Sequence, residues 1–265
     1  LSETNSFMPT FLFDQTIFGP VRSRRLGLSL GINLLPNSRK VCSFDCIYCE
    51  CGLNETTSTG EKLPTRDQVR ELLEEKLTAM SRSGELPDVI TFAGNGEPTL
   101  HPDFAGVVDD VIVLRNQYCP RARIAVLSNA TRIQRSDVYQ ALLKVDDNIL
   151  KLDGGREATI CQLDRPVGAF SLEALVNHLM HFQGQLTIQT MFVKGRYDGA
   201  MVDNTTAADV EPWLQLLNRI KPSQVMIYTI ERDTPFDTLQ KVSLAELSEI
   251  AEKVRILGIP VQVSG

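Results

Sequence analysis

The feature that most constrains this chain is an alternation: short β-branched or apolar runs take turns with longer segments whose apolar residues recur at helical spacing. The runs lie at 29–35, 89–93, 124–128, 149–152, 186–193, 225–230 and 261–263, and helical patterns at 66–82, 104–118, 136–144, 172–182, 210–220 and 244–257 fill the gaps. The clearest helix is expected over 66–82. Thr65 and Gln68 make a T-x-x-Q capping box, Val69, Leu72, Leu73, Leu77 and Met80 form one apolar stripe, and Gly84 is a stop. Such alternation predicts an α/β fold with a mainly parallel sheet and right-handed crossovers, open or rolled into a barrel, with functional residues at the carboxyl ends of strands.

Composition excludes other classes. With 43% hydrophobic and 23% charged residues in 265, the chain is neither disordered nor fibrous. Its 27 Lys and Arg against 33 Asp and Glu give a net charge of −6, so no global positive field draws it to phosphate backbones or an anionic membrane. No apolar run of roughly 18 residues is present to span a bilayer, and the first residues lack the basic end and apolar core of a signal peptide. A cytoplasmic location is expected. Residues 1–15 are read as a leader or expression remnant and 16–265 as one core domain.

Six cysteines stand out, four of them between Cys42 and Cys51. Cys42, Cys46 and Cys49 have the spacing C-x3-C-x2-C in a loop beyond the first predicted strand. Clustered thiols of this kind suit zinc or an iron-sulfur centre far better than magnesium or calcium. Two readings stand: a structural zinc site closed by Cys51, or a three-thiolate centre that keeps one coordination position open. Cys119 and Cys161 have no partner at ligand spacing and read as core or surface thiols; His101, His178 and His181 read as structural.

The strand ends carry the remaining candidates. The run 89–93 leads into Gly-Asn-Gly96-Glu97-Pro98, a glycine turn that permits close approach and sets an acid at a carboxyl end. Ser128 and Asn129 end the third strand, suited to sugar hydroxyls or to capping the next helix. Lys151 and Asp153 share one side of an alternating strand, as a salt bridge or as ligand-orienting groups. Tyr228 ends the sixth. Arg22, Arg24 and Arg25 precede the first strand as an anion site or as surface ion pairs.

The stretch Cys42-Ser-Phe-Asp-Cys46-Ile-Tyr48-Cys49 resembles the C-x3-C-x-aromatic-C motif of the radical S-adenosylmethionine superfamily, and Gly96-Glu97-Pro98 resembles its glycine and glutamate motif, in the right order. The resemblance implies a partial (β/α)6 TIM-like barrel. It implies a 4Fe-4S cluster on Cys42, Cys46 and Cys49, whose open iron takes the amino and carboxylate groups of S-adenosylmethionine. Reductive cleavage would then give a 5′-deoxyadenosyl radical that abstracts hydrogen. Tyr48, Gly96, Glu97, Pro98, Ser128, Asn129, Lys151 and Tyr228 become cofactor contacts, Lys151 and Asp153 catalytic candidates, and Arg22, Arg24, Arg25 and Asp153 substrate contacts.

The arginine segment, Leu152-Asp153, Arg165-Pro166, Thr190 to Gly195 and Val242-Ser243 further resemble a poorly characterised branch related to the wyosine-forming tRNA enzymes, over about residues 16–263. No additional amino-terminal cysteine set accompanies them. Expected partners are S-adenosylmethionine, a reduced flavodoxin or ferredoxin as electron donor, and a substrate, with no membrane. The acidic balance favours a small metabolite or protein over structured RNA. The alternatives are an RNA base-modifying radical enzyme and a non-catalytic zinc or iron-sulfur binding module.

Overall fold

Helix α1 (Arg66–Ser83) begins where its cap requires: Thr65 Oγ1 accepts from Gln68 N, the Gln68 side chain returns to the Thr65 N–H, and Gly84 closes the helix in the left-handed conformation. Its stripe buries Val69, Leu73, Leu77 and Met80, while Leu72 stays exposed. The computed structural model describes residues 11–23, 25–55 and 61–265, so the candidate Arg24 and residues 1–10 of the expected leader lie outside it.

The chain packs as two compact units: residues 12–42 with 54–149, and residues 43–53 with 150–265, joined by Phe11. In the first unit, β1 (Ile17–Ser23) pairs antiparallel with β2 (Gly27–Ile32). Parallel β3 (Val89–Phe92) and β4 (Arg123–Ser128) follow, with α1 and then α2 (Phe104–Tyr118) as the crossovers. All four residues of β3 are buried, as expected of a strand covered on both faces. Helix α3 (Ser136–Leu142) and β5 (Asp147–Lys151) lead the chain into the second unit.

There α4 (Glu157–Leu163) and α5 (Leu172–Met180) precede β6 (Thr187–Met191). A small antiparallel sheet is formed by β7 (Val193–Tyr197), β8 (Ala200–Asp203) and, later, β10 (Leu239–Lys241). Helix α6 (Ala207–Ile220), β9 (Gln224–Tyr228), α7 (Leu244–Ile256) and β11 (Val261–Ser264) complete the unit, with β6, β9 and β11 parallel. Trp213 on α6 is its largest buried side chain, its indole N–H bonded to Leu152 O at 3.2 Å.

The expected alternation is therefore present, with differences: β8 and β10 lie outside the expected runs. The run 186–193 is broken after Met191, because Asn204 Nδ2 takes the Met191 carbonyl and Asn204 Oδ1 takes the Val193 N–H. Strand β1 was hidden by Gly19 and Pro20, which interrupt its apolar pattern and coincide with a register shift. Helix α4 is two turns long, too short for its periodicity to register. No helix among the described residues is long and apolar enough to cross a membrane.

Candidate active site

In the first unit the chemistry gathers where β3 and β4 end. Gly94 and Gly96 have φ of 149° and 135°, open to glycine and strained for other residues. The turn pairs with the segment before the cysteines: Val41 N donates to Asn95 O at 2.9 Å, Glu97 N donates to Val41 O at 3.1 Å, and Val41 and Gly96 form a parallel bridge. A Cβ on Gly96 would overlap the Val41 carbonyl, so glycine is what lets the two segments meet. Asn33 and Asn95, both fully buried, brace the turn through the backbone of Leu35, Pro36 and Phe13. Cys42 is clamped by Asn54, which accepts from its N–H at 3.0 Å and donates to its carbonyl at 3.1 Å.

Glu97 is 1% exposed. Its carboxylate accepts from Thr99 N at 3.1 Å, Thr99 Oγ1, Ser128 Oγ at 2.8 Å and Asn129 N at 2.6 Å. Burial pushes this carboxyl above its ordinary range while the four donors pull it back. Pro98, buried, starts the short 3-10 turn that presents Thr99 to Glu97. Glu97 thus ties the glycine turn to the end of β4. Beyond it, Asn129 Oδ1 accepts from Thr131 N at 3.0 Å and Thr131 Oγ1 at 2.8 Å, and Asn129 Nδ2 donates to Cys42 Sγ at 3.5 Å.

In the second unit a separate polar group is buried. The segment 43–47 is laced to 163–167 by Asp45 N to Asp164 O at 2.9 Å, Ile47 N to Leu163 O at 2.9 Å and Val167 N to Ser43 O at 2.8 Å. That brings Tyr48 and Cys46 against Asp164. The phenolic proton of Tyr48 faces two carboxylates, Asp153 and Asp164, the second at 2.7 Å; Cys46 Sγ lies 3.2 Å from the same Asp164 oxygen. Lys151 Nζ donates to Tyr48 Oη at 2.6 Å and to Asp153 Oδ2 at 2.8 Å, and Asp153 Oδ1 accepts from Met191 N at 2.8 Å.

Electrostatics follow from this crowding. Burial, then the Asp153 charge, push the Asp164 carboxyl up to about 7. Burial followed by the two carboxylates holds the Tyr48 phenol well above its ordinary value. Burial alone would lower the Lys151 ammonium, yet Asp153, Tyr228 and Asp164 outweigh it and hold it high. Tyr228, half-buried at the end of β9, accepts from Gln189 Nε2 at 3.0 Å.

Arg22 is exposed on β1, Arg25 is half-buried in the following turn, and Arg24 lies outside the described residues. Cys119 is buried, its thiol pushed up by that burial, and Cys161 is exposed. His101 braces Pro64 O through Nε2 at 2.8 Å, and the His178 and His181 rings meet edge to face. Sequence reasoning missed Thr99, Asn54 and Asp164. Only Asp164 had a neighbouring signal, the Arg165-Pro166 pair.

None of the six cysteines is in a disulfide. Among the described residues no three His, Cys, Asp or Glu side chains converge to hold a single ion. A four-iron cluster, by contrast, takes its thiolates on separate irons. Cys42, Cys46 and Cys49, closely spaced in one loop and in no disulfide, have the donor chemistry such a cluster needs.

No family model matches the chain. It is 32% identical over 225 residues to a UPF0026 protein of Synechocystis sp., covering 83% of this chain and 77% of that one. It is 30% identical over 238 residues to a UPF0026 protein of Helicobacter pylori, covering 86% and 72%. A protein of Brachyspira hyodysenteriae named GTPase Obg is 29% identical over 237 residues, 88% of this chain but 32% of that protein. The chain thus spans about a third of one relative and about three quarters of the others. It carries no G-x-x-x-x-G-K-[ST] phosphate loop.

Among solved structures, a radical SAM methyltransferase from Sphaerobacter thermophilus matches with TM-score 0.66 at 15% identity, covering 89% of this chain and 65% of that one. Streptococcus suis SuiB bound to S-adenosylmethionine matches at 0.61 and 13%, covering 86% and 49%. TYW1 with a lysine-pyruvate adduct matches at 0.59 and 14%, covering 86% and 73%. These likenesses show the fold: the α/β partial barrel of radical SAM enzymes.

Proposed function

The chain belongs to the UPF0026 family, and from that membership and the fold it shares with radical SAM enzymes we propose that it cleaves S-adenosylmethionine reductively to start hydrogen abstraction from a substrate. The observation that carries this reading is the bridge between Val41 and Gly96. It supports one site built from the cysteine loop and the glycine turn, two motifs far apart in sequence.

Cys42, Cys46 and Cys49 are the ligands we assign to a 4Fe-4S cluster. When bound, that cluster and S-adenosylmethionine supply one electron and a sulfonium whose cleavage yields a 5′-deoxyadenosyl radical. The chain's own residues bind and orient. Gly96, Glu97 and Pro98 form the wall assigned to the amino acid end of the cofactor, with Glu97 holding Ser128 and Asn129 in place beside it. Tyr48, Lys151 and Tyr228 are the further cofactor contacts we assign. Lys151 and Asp153 are the groups we assign to orienting the substrate, Lys151 keeping its proton and Asp153 accepting from it. Arg22 and Arg25, with Arg24, remain the assigned anion contacts.

A reduced flavodoxin or ferredoxin is the donor class such chemistry requires. The net charge of −6 supports a small metabolite or a protein as substrate over structured RNA, with RNA base modification as the alternative. The test is anaerobic cluster reconstitution, then chromatography after dithionite and S-adenosylmethionine are added. Cofactor-dependent 5′-deoxyadenosine, absent in Cys46→Ala, supports the reading; zinc in place of iron overturns it.

A further inference from the structure

The strongest unassigned geometry is around the side-chain amide of Asn129. Its two ends are not interchangeable. The carbonyl end receives two donors from Thr131, the backbone N–H and the hydroxyl, so Oδ1 must point there and the NH2 group must point the other way. The other way is Cys42: Nδ2 lies 3.5 Å from its Sγ. The position of Asn129 is set in turn by Glu97, which takes its backbone N–H at 2.6 Å and the hydroxyl of neighbouring Ser128 at 2.8 Å. The backbone of Cys42 is fixed as well, because Asn54 holds both its N–H and its carbonyl.

We propose that Asn129 is a redox-tuning residue: it donates an N–H···S hydrogen bond to the cluster ligand Cys42, with Thr131 fixing the amide and Glu97 fixing the strand end. The inference rests on the assignment of Cys42 to an iron-sulfur cluster. Reduction adds negative charge to such a centre and its sulfurs, and a donor dipole aimed at a ligand sulfur stabilises the reduced form more than the oxidised one. The bond therefore raises the reduction potential and eases delivery of the electron.

The experiment is a potentiometric titration of the reconstituted holoprotein, followed by electron paramagnetic resonance. Asn129→Asp is the main variant, because its carboxylate still accepts from Thr131 while the donor to sulfur is gone; Asn129→Ala is the second. Both are expected to shift the midpoint to more negative values. At the wild-type midpoint the ratio of reduced to oxidised cluster should fall about tenfold, a shift of about 59 mV for one electron. Thr131→Val removes one of the two donors that fix the amide, the backbone N–H remaining, and is expected to give a smaller shift in the same direction. An unchanged midpoint in both Asn129 variants overturns the proposal.

A second readout needs no cluster. The Asn129 side-chain amide resonances of the cluster-free protein, assigned by their loss in Asn129→Ala, should move in Cys42→Ala; unmoved resonances overturn the hydrogen bond. If the wild type assembles no iron-sulfur centre, the cluster reading and the redox role fall together, while the amide resonances still decide whether the bond exists.

Discussion

Lys151 Nζ lies 2.8 Å from Asp153 Oδ2, the two side chains leaving the end of β5 on the same side with Leu152 buried on the other. The Lys151 side chain is 14% exposed and that of Asp153 not at all, so this is a buried pair, and Asp153 also receives the Met191 N–H. Asp153→Ala would leave the Met191 N–H without its acceptor and a buried ammonium without its nearest carboxylate, with Tyr48 Oη at 2.6 Å and Asp164 at 3.9 Å remaining. A loss of about 3–5 kcal/mol in urea denaturation is expected. Adding Lys151→Met to that variant should recover part of the loss, since the stranded charge is then gone. A cost near zero for Asp153→Ala would contradict the burial of the pair.

Glu97→Ala strands Thr99 N, Thr99 Oγ1, Ser128 Oγ and Asn129 N in a site that is 1% exposed. Each orphaned buried donor costs on the order of 1–3 kcal/mol if water does not replace the carboxylate. The variant should unfold at lower urea and bind S-adenosylhomocysteine more weakly in calorimetry. Unchanged affinity would sink the assignment of this turn to the cofactor.

Glycine substitutions separate strain from collision. At Gly84, with φ of 76° and open space around it, alanine should cost only about 1 kcal/mol. At Gly96, with φ of 135° and the Val41 carbonyl in the way, alanine should cost several times more. Amide hydrogen exchange at Glu97, whose N–H is bonded to Val41 O, should speed up in Gly96→Ala and not in Gly84→Ala.

Acid sensitivity has a local source on α2. Arg66 grips Asp110 with Nε at 2.6 Å and Nη2 at 2.8 Å, and this guanidinium holds the carboxyl below its usual range. A depressed folded value means the stabilisation is present above the ordinary carboxylate range and is lost as pH falls through the lowered value. Because Arg66 is 46% exposed, solvent screening limits the effect to about 1 kcal/mol. Arg66→Met should therefore be less stable than wild type at pH 7, and the two denaturation midpoints should converge in acid. A gap that persists at low pH would point to lost packing instead.

For the cysteines, iron content after reconstitution should collapse in Cys42→Ala, Cys46→Ala and Cys49→Ala and survive in Cys51→Ala. Loss of iron in Cys51→Ala would return the four-cysteine closed site.

The sequence by itself determined what is local or periodic. Alternating apolar runs set the α/β class, Thr65 and Gln68 set where α1 starts, and the spacing of Cys42, Cys46 and Cys49 made the metal-centre reading legible, because each depends on residues within a turn or a strand of one another. The same logic placed Lys151 and Asp153 side by side. Only the tertiary structure decided which distant groups share a proton or a sulfur. Tyr48 meets Asp153 and Asp164 across 105 and 116 residues, and Asn129 meets Cys42 across 87. Asp164 had no periodicity to reveal it, and Glu97 could be read as a ligand contact but not as the acceptor that holds Ser128 and Asn129. Such partners are chosen by where parallel strands end, and sheet pairing brings those ends together at separations that no local pattern records.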